Sequence, residues 1–332
     1  MQQIALSPRQ SPQKAGNIEC YANGDYAKFN YLCLVKKTLT EYNVGLLTKI
    51  NDYMGLVKFA HTVFAMPFAL IAFTYAILTT EAEFSWLLLV QIVLCMVFAR
   101  NVAMGFNRWT DWRIDKENPR TASREIPAGK ITPRSAMTFV VINAVLFIAT
   151  ASTINLLTAV LSPVALAVIM FYSYCKRFTA FAHIILGLSL AIAPAGAYIA
   201  VTGTLDFAPM LLSLLVMTWC GGFDIIYALQ DRDFDRANGL HSIPSKFSIA
   251  TSLYISIALH IASIASLVGF GLYCPQCWAL WCGIALFSGC IIVEHMLVTP
   301  TRQHSIPIAF GTLNGLASIT LAVFTIIALL FY

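Results

Sequence analysis

The sequence predicts an all-α, polytopic membrane protein of nine transmembrane helices. Three observations carry this reading. Hydrophobic residues make up 58% of the 332-residue chain and charged residues only 11%, against about a quarter in soluble domains, so there is too little polar surface to face water. The apolar residues fall into runs of about 20, the length at which a helix crosses a bilayer while satisfying its own backbone hydrogen bonds. Beyond the N-terminal arm, Lys and Arg fall almost entirely in alternate connections, the pattern of loops that stay on one side of a membrane.

The nine runs span 57–79, 85–106, 135–155, 157–175, 180–202, 206–230, 248–272, 277–298 and 305–332. Pro194 interrupts the fifth and the Gly221-Gly222 pair the sixth, as membrane helices tolerate. Residues 1–51 read as a polar N-terminal arm rather than a secretory signal, with one semi-apolar stretch near Tyr31–Val35. Residues 52–332 form the membrane domain.

The connection after the second run carries Arg108, Arg113, Lys116, Arg120, Arg124, Lys130 and Arg134. Lys176 and Arg177 follow the fourth run, Arg232, Arg236 and Lys246 the sixth, and Arg302 the eighth. The other connections hold Glu81, Glu83, Asp206 and the C-P-Q-C segment, and no Lys or Arg. The basic loops and the N-terminus are therefore expected in the cytoplasm, with the chain in the inner (plasma) membrane. The net charge of +5 follows from this asymmetry, so no nucleic-acid partner and no obligate protein partner is inferred. Of nine cysteines, Cys274 and Cys277 form C-P-Q-C without the βαβ context of a redox motif. A structural role is expected, with a disulfide open on an oxidising face.

Two acidic clusters carry the chemistry. The first is N107-R-W-T-D111-W-R-I-D115 and the second D224-I-I-Y227-A-L-Q-D231-R-D-F-D235. Asn107, Asp111 and Asp115 stand at i, i+4 and i+8, and each step of four turns a helix by only about 40°, so all three share one face. Asp231 and Asp235 repeat the spacing, with Tyr227 and Asp224 one and two turns earlier. One D-x-x-x-D alone is more often a solvated helix end. Two at the same membrane side, after the second and sixth helices, are specific. Carboxylates without His or Cys partners suit Mg²⁺, which takes one or two of them and completes its shell with water and substrate phosphates. Two facing Asp pairs would hold Mg²⁺ on either side of one diphosphate, and Arg120, Arg124, Lys176, Arg177 and Lys246 would contact its oxygens.

A prenyl diphosphate suits this placement, having a lipid tail and a polyanionic head. Ionisation of its C–O bond needs the departing charge neutralised and the allylic cation shielded from water. Trp109, Trp112, Tyr172, Tyr174 and Tyr227 lie near the motifs for that purpose, or as interfacial belt residues. Lys58, His183, Glu294 and His295, near the same side, are candidates for lining an acceptor pocket, with snorkelling the plainer reading for Lys58. His260 reads as a hydrogen-bonded neutral histidine, and Asn143 and Asn314 as links between helices.

These motifs resemble the UbiA superfamily of intramembrane prenyltransferases, over the chain from about Asp52 onward. The resemblance implies nine helices around a central cavity opening to the cytoplasmic side. It assigns Asn107, Asp111 and Asp115 to the first Mg²⁺-diphosphate motif, Asp231 and Asp235 to the second, and Asp224 and Tyr227 to the D-x-x-Y element before it. R120-T-A-S-R124-E-I-P-A-G129 is similar to the R-T-x-x-R-P-[IL]-P-x-G segment, and Tyr174–Phe178 to the Y-x-x-K-R element. Arg108 and Glu125 depart from the common Asp and Pro. Lys58 falls where the family often has a basic residue near its aromatic substrate. F106-N-R, N-P-R-T-A-S-R-E-I-P-A-G, D-I-I-Y-A-L-Q-D and G-L-H-S-I-P together resemble the 4-hydroxybenzoate polyprenyltransferase subgroup, which is itself similar to enzymes that prenylate a dihydroxynaphthoate, so the resemblance does not separate the two acceptors.

The implied function is Mg²⁺-dependent transfer of a polyprenyl group from polyprenyl diphosphate to a small aromatic acid, 4-hydroxybenzoate first, in respiratory quinone biosynthesis. Prenylation of a dihydroxynaphthoate for menaquinone is the alternative. The rival outside enzymes is a cation transporter, whose carboxylates belong near the bilayer midplane on broken helices rather than beyond the helix ends.

Overall fold

The computed structural model describes residues 48–57 and 65–331. The chain divides into two units, 1–50 and 51–332; of the first, only residues 48–50 are described, and they are helical. The predicted arm therefore lies outside the described residues except for 48–51, and Lys58 lies outside them too.

Residues 48–57 form α1. It is followed by α2 (Met66–Thr79), α3 (Trp86–Glu117), α4 (Pro133–Ser152), α5 (Leu156–Cys175), α6 (Ala182–Thr202) and α7 (Phe207–Ala228). A 3₁₀ turn, Leu229–Asp231, leads to the short helices α8 (Arg232–Ala237) and α9 (Ile243–Lys246). Then come α10 (Ile249–Gly271), α11 (Trp278–Leu297), α12 (Ile306–Ile308), a π-helical turn Ala309–Leu313 and α13 (Asn314–Phe331). Eight of the described helical segments are long and apolar enough to cross a membrane, and α2 is a further apolar helix of 14 residues. The chain is an integral membrane protein.

Local sequence sets the helix ends. Ser85, Thr132, Asn155 and Ser248 cap α3, α4, α5 and α10 by accepting a hydrogen bond from a backbone N–H three residues on. Gly203 closes α6 at φ 68°, a left-handed position that favours glycine. Asn155 also donates to the carbonyls of Ile199 (2.8 Å) and Ala200 (3.2 Å), fixing the start of α5 against the end of α6.

α6 packs on α2, α5 and α7; α7 on α10; α11 on α13, which returns to α2; and α3 packs on α4 and α5. Association in lipid depends on close packing and interhelical hydrogen bonds rather than on expelling water. Both are present. A side chain on Gly187 would collide with the Met217 backbone carbonyl, and one on Gly222 with the His260 ring. Asn101 donates to Asn143 at 2.8 Å across α3 and α4, the link expected of Asn143. Phe68, Trp219, Phe270 and Phe287 form the buried aromatic core. Val145, Leu156, Val160, Ile261 and Met296 are exposed on the outside, where lipid is their solvent.

Three local expectations change. Pro194 and the Gly221-Gly222 pair do not interrupt α6 or α7, which run through them. The second helix, expected to end at 106, continues to Glu117, so Arg108, Arg113 and Lys116 lie on it rather than in a loop. Conversely, Asp231 and Asp235 are not on one continuous helix, because the 3₁₀ turn re-aims the chain between α7 and α8. Cys274 and Cys277 are free thiols, and burial, with Cys277 nearby, pushes the Cys274 thiol up to about 12.

Candidate active site

A cavity of about 660 Å³ opens among α3, α5, α6 and α7. Its wall is largely apolar, running past Ile92, Ala99, Phe147, Ile154, Ala165 and Leu190, and its polar end is built by both acidic motifs. Asn107, Asp111, Asp115, Arg120, Arg124, Lys176, Asp224, Tyr227, Asp231 and Asp235 all line it.

Each carboxylate at the polar end is held by a partner. Asp111 is buried on α3. Lys176 Nζ lies 2.5 Å from its Oδ2, Arg177 donates to its Oδ1 at 2.9 Å, and Asn107 Nδ2 reaches Oδ2 at 3.5 Å. Asp115, also buried, accepts from Arg124 Nη1 on both oxygens, at 2.7 and 2.8 Å. A buried carboxylate is tolerable only when paired in this way. Asp231 accepts from Arg120 Nε at 2.8 Å and from Asn118 Nδ2 at 3.0 Å, with a second, shorter bond from Arg120 Nη2. The same guanidinium donates to the Tyr227 hydroxyl at 2.9 Å and lies over the Tyr227 ring. Burial draws the Arg120 pKa down, but the Asp231 and Tyr227 bonds outweigh it and hold it above its ordinary value. Asp235 accepts from Ser242 Oγ at 3.0 Å. The segment 118–124 thus bridges the two motifs, and their side chains meet at one end of the cavity.

Asp224 sits seven residues before Asp231 on α7, about 10 Å deeper at 1.5 Å per residue. His183 on α6 holds it, with Nδ1 and Oδ2 2.7 Å apart. The Ile243 backbone N–H donates to His183 Nε2, so that nitrogen is the acceptor and Nδ1–H donates to Asp224.

Other expected residues lie elsewhere. Arg177 does not line the cavity; it braces Asp111 from behind, also donating to the carbonyls of Ser173 and Thr110. Lys246 is exposed at the end of α9, outside the cavity wall, with its ammonium 5.8 Å from the Phe247 ring. Of the expected aromatic residues, Tyr172 and Tyr227 line the cavity, and Trp109, Trp112 and Tyr174 do not. Neither Glu294 nor His295 lines it, contrary to expectation: both point into the helix packing, where His295 Nε2 lies 2.8 Å from His260 Nδ1. His260 Nε2 in turn faces the Trp219 carbonyl at 3.2 Å, the hydrogen-bonded role expected of it.

Residues 65–319 match the UbiA prenyltransferase family. The chain belongs to the UbiA prenyltransferase family. The 4-hydroxybenzoate octaprenyltransferase of Aliivibrio fischeri (strain MJ11) is 28% identical over 220 residues, 66% of this chain and 76% of that one. The enzyme of the same name from Pseudomonas fluorescens (strain Pf0-1) is 32% identical over 207 residues, 62% and 69% of the two chains. Among solved structures, a UbiA homologue from Aeropyrum pernix K1 has a TM-score of 0.67 at 26% identity, covering 80% of this chain and 95% of that one. A UbiA homologue from Archaeoglobus fulgidus bound to GPP and Mg²⁺ has a TM-score of 0.62 at 18% identity, covering 84% and 99%; at that identity the likeness concerns the fold. This UbiA-family chain is a membrane-embedded prenyltransferase, as its motifs implied.

The UbiA cavity also contains a group that the sequence reading passed over. Arg100 lines it seven residues before Asn107, on the same face of α3 and about 10 Å deeper. Its Nε is buried with no hydrogen-bond partner. Tyr172 lies within electrostatic reach of both Arg100 and Asp224. Arg108, 4% exposed, brings a further guanidinium to the wall, with Nη1 unpartnered. An arginine inside an apolar run was the available signal for Arg100.

Proposed function

We propose that this prenyltransferase joins a polyprenyl chain to a small aromatic carboxylic acid, 4-hydroxybenzoate first, using Mg²⁺, in respiratory quinone biosynthesis. The motif end then faces the cytoplasm, and the bilayer is the inner membrane, as the Lys and Arg distribution argues. The observation that carries the reading is the convergence of Asp111, Asp115, Asp231 and Asp235, with Arg120, Arg124 and Lys176, at the polar end of a deep apolar cavity. The relatives named 4-hydroxybenzoate octaprenyltransferase support the acceptor class.

The donor set fits Mg²⁺. It consists of carboxylate oxygens with no thiol or imidazole among the four, and Mg²⁺ needs only one or two of them besides substrate phosphates. Among the described residues no three His, Cys, Asp or Glu side chains form a closed metal cage. The Asp111–Asp115 and Asp231–Asp235 pairs would each offer carboxylates to Mg²⁺ on either side of the diphosphate, and the metal would supply Lewis-acid neutralisation of the leaving group.

The chain's own residues then do the following. Arg120, Arg124 and Lys176 have donors within reach of the cavity and can exchange carboxylate for phosphate oxygens. The C–O bond of the allylic diphosphate breaks with its electron pair leaving on the diphosphate. The apolar wall keeps water from the resulting cation. Arg100 anchors the acceptor carboxylate, deeper than the motifs and with an unmatched donor. A carbon ortho to the acceptor's hydroxyl bonds to the allylic carbon, and Asp224, oriented by His183, takes the ring proton.

The test is prenyl transfer by the full chain in membranes, with Mg²⁺, a polyprenyl diphosphate, and 4-hydroxybenzoate or a dihydroxynaphthoate in parallel. Asp111→Asn is the control. Product from 4-hydroxybenzoate that disappears in the variant supports the reading. Product from the naphthoate alone moves the acceptor assignment. Product from neither, with intact wild-type protein, overturns the aromatic-acid reading.

A further inference from the structure

One face of α7 carries Trp219, Phe223 and Tyr227 at successive steps of four, and the 3₁₀ turn that follows carries Asp231. Against it stands the π-helical turn Ala309–Leu313, which inserts extra backbone into the start of the last membrane helix. Single π turns of this kind cost regular hydrogen bonding and recur at functional sites. Here the turn brings the Phe310 ring onto the α7 ladder. Its centroid is 4.3 Å from that of Tyr227 and 5.4 Å from that of Phe223. Phe223, Tyr227 and Phe310 all line the cavity, next to Arg120 and Asp231.

A buried clamp holds the turn. Asn314, 2% exposed, donates from Nδ2 to the carbonyls of Ala309 (3.1 Å) and Phe310 (3.3 Å) and to Glu294 Oε1 (3.3 Å). Its Oδ1 accepts from Trp219 Nε1 at 3.0 Å, so the clamp is fastened to the same α7 ladder. Neither Asn314 nor Glu294 lines the cavity. Such a network in lipid has no water to fall back on, which favours a single arrangement of the turn.

We propose that Phe310 is a substrate-contacting residue whose ring, with Tyr227, walls the allylic end of the prenyl diphosphate, and that Asn314 is its positioning residue. The assignment rests on the prenyl-transfer reading above. A ring face beside the breaking C–O bond stabilises the developing cation and keeps water from it. Phe310 forms no bond in the reaction.

The experiment uses the full chain and two readouts: kcat for transfer, and the share of diphosphate released by hydrolysis rather than transfer. Binding of a non-ionising prenyl thiolodiphosphate is measured alongside. Phe310→Leu is expected to lower kcat about 10- to 30-fold, the size of a desolvated cation–π contact. It should raise the hydrolysed share and leave analogue binding within about threefold, because ground-state contacts remain. Phe310→Tyr keeps the ring and should restore most of the rate. Asn314→Leu should reproduce the Phe310→Leu pattern. Phe310→Leu at the wild-type rate and partition, or Phe310→Tyr as impaired as Phe310→Leu, overturns the proposal. If Asn314→Leu does not fold, the Phe310 pair still decides it. An inactive wild type is a different result, since it removes the prenyl-transfer reading itself.

Discussion

Arg120 Nε donates to Asp231 Oδ1 at 2.8 Å, joining residues 111 positions apart. The guanidinium also bonds the other Asp231 oxygen and the Tyr227 hydroxyl. One side chain therefore ties the connection after α3 to the end of α7. Lys can supply the charge but not the planar fork. Arg120→Lys is expected to lower kcat/KM for prenyl transfer by about 10- to 100-fold, and Arg120→Ala by more. A lysine variant with wild-type kinetics would mean that charge alone suffices at this position.

Asp115 gives a second prediction. Its two oxygens share Arg124 Nη1, and the group is buried on α3. Asp115→Asn keeps shape and removes charge. Transfer should fall about 10²- to 10³-fold, as for loss of one preorganised electrostatic contact to a leaving group. Helical circular dichroism should be unchanged. Residual activity within threefold of wild type would remove Asp115 from the diphosphate machinery.

Chelation provides a third. With EDTA the transfer rate should drop to background and return on adding excess Mg²⁺. Ca²⁺ prefers 6–8 longer oxygen contacts and should restore much less. Rates insensitive to chelator would contradict the role given to the four Asp residues.

The α6–α7 seam supports a fourth. Gly187 lies against the Met217 carbonyl so closely that a Cβ has no room, and the obstacle is backbone. Gly187→Ala is expected to destabilise the protein by about 1–3 kcal/mol through overpacking, read as a lower thermal midpoint in detergent. Gly196→Ala, on the same helix but with open space where its Cβ would go, is the control. Equal midpoints for the two variants would show that α6 can shift away.

Much of this architecture was legible in the chain. Steps of four put Asn107, Asp111 and Asp115 on one face because α3 is a regular helix, and 20-residue apolar runs have few alternatives to spanning a bilayer. What the sequence hid has physical causes. The second motif has the same spacing, yet its backbone tightens to a 3₁₀ turn at Leu229–Asp231, where the distant Arg120 and Asn118 bond Asp231. Lys246 shares the sign and membrane side of Lys176, but only folding decides which ammonium meets a carboxylate. Phe310 is one more apolar residue in an apolar run, and a π turn has no composition of its own. Glu294 looked interfacial by position, whereas Asn314 holds it inside the bundle.

Arg100 supports the last prediction. It projects from α3 into the apolar part of the cavity, about two turns below Asn107, and its Nε is buried without a partner. A buried guanidinium N–H without an acceptor is costly unless an anion completes it, and with the diphosphate held at the motif end, the acceptor carboxylate is the anion left to do so. Arg100→Gln should therefore raise the acceptor KM about 10- to 100-fold, the cost of losing a charge-assisted pair in a dry site, with the KM for polyprenyl diphosphate little changed. An acceptor lacking the carboxylate isolates the contact. Wild type and Arg100→Gln should use a simple phenol equally poorly, because neither can form the pair. If the variant discriminates between the acid and the phenol as strongly as wild type does, the carboxylate is bound elsewhere, and Arg100 serves only to set the field inside the cavity.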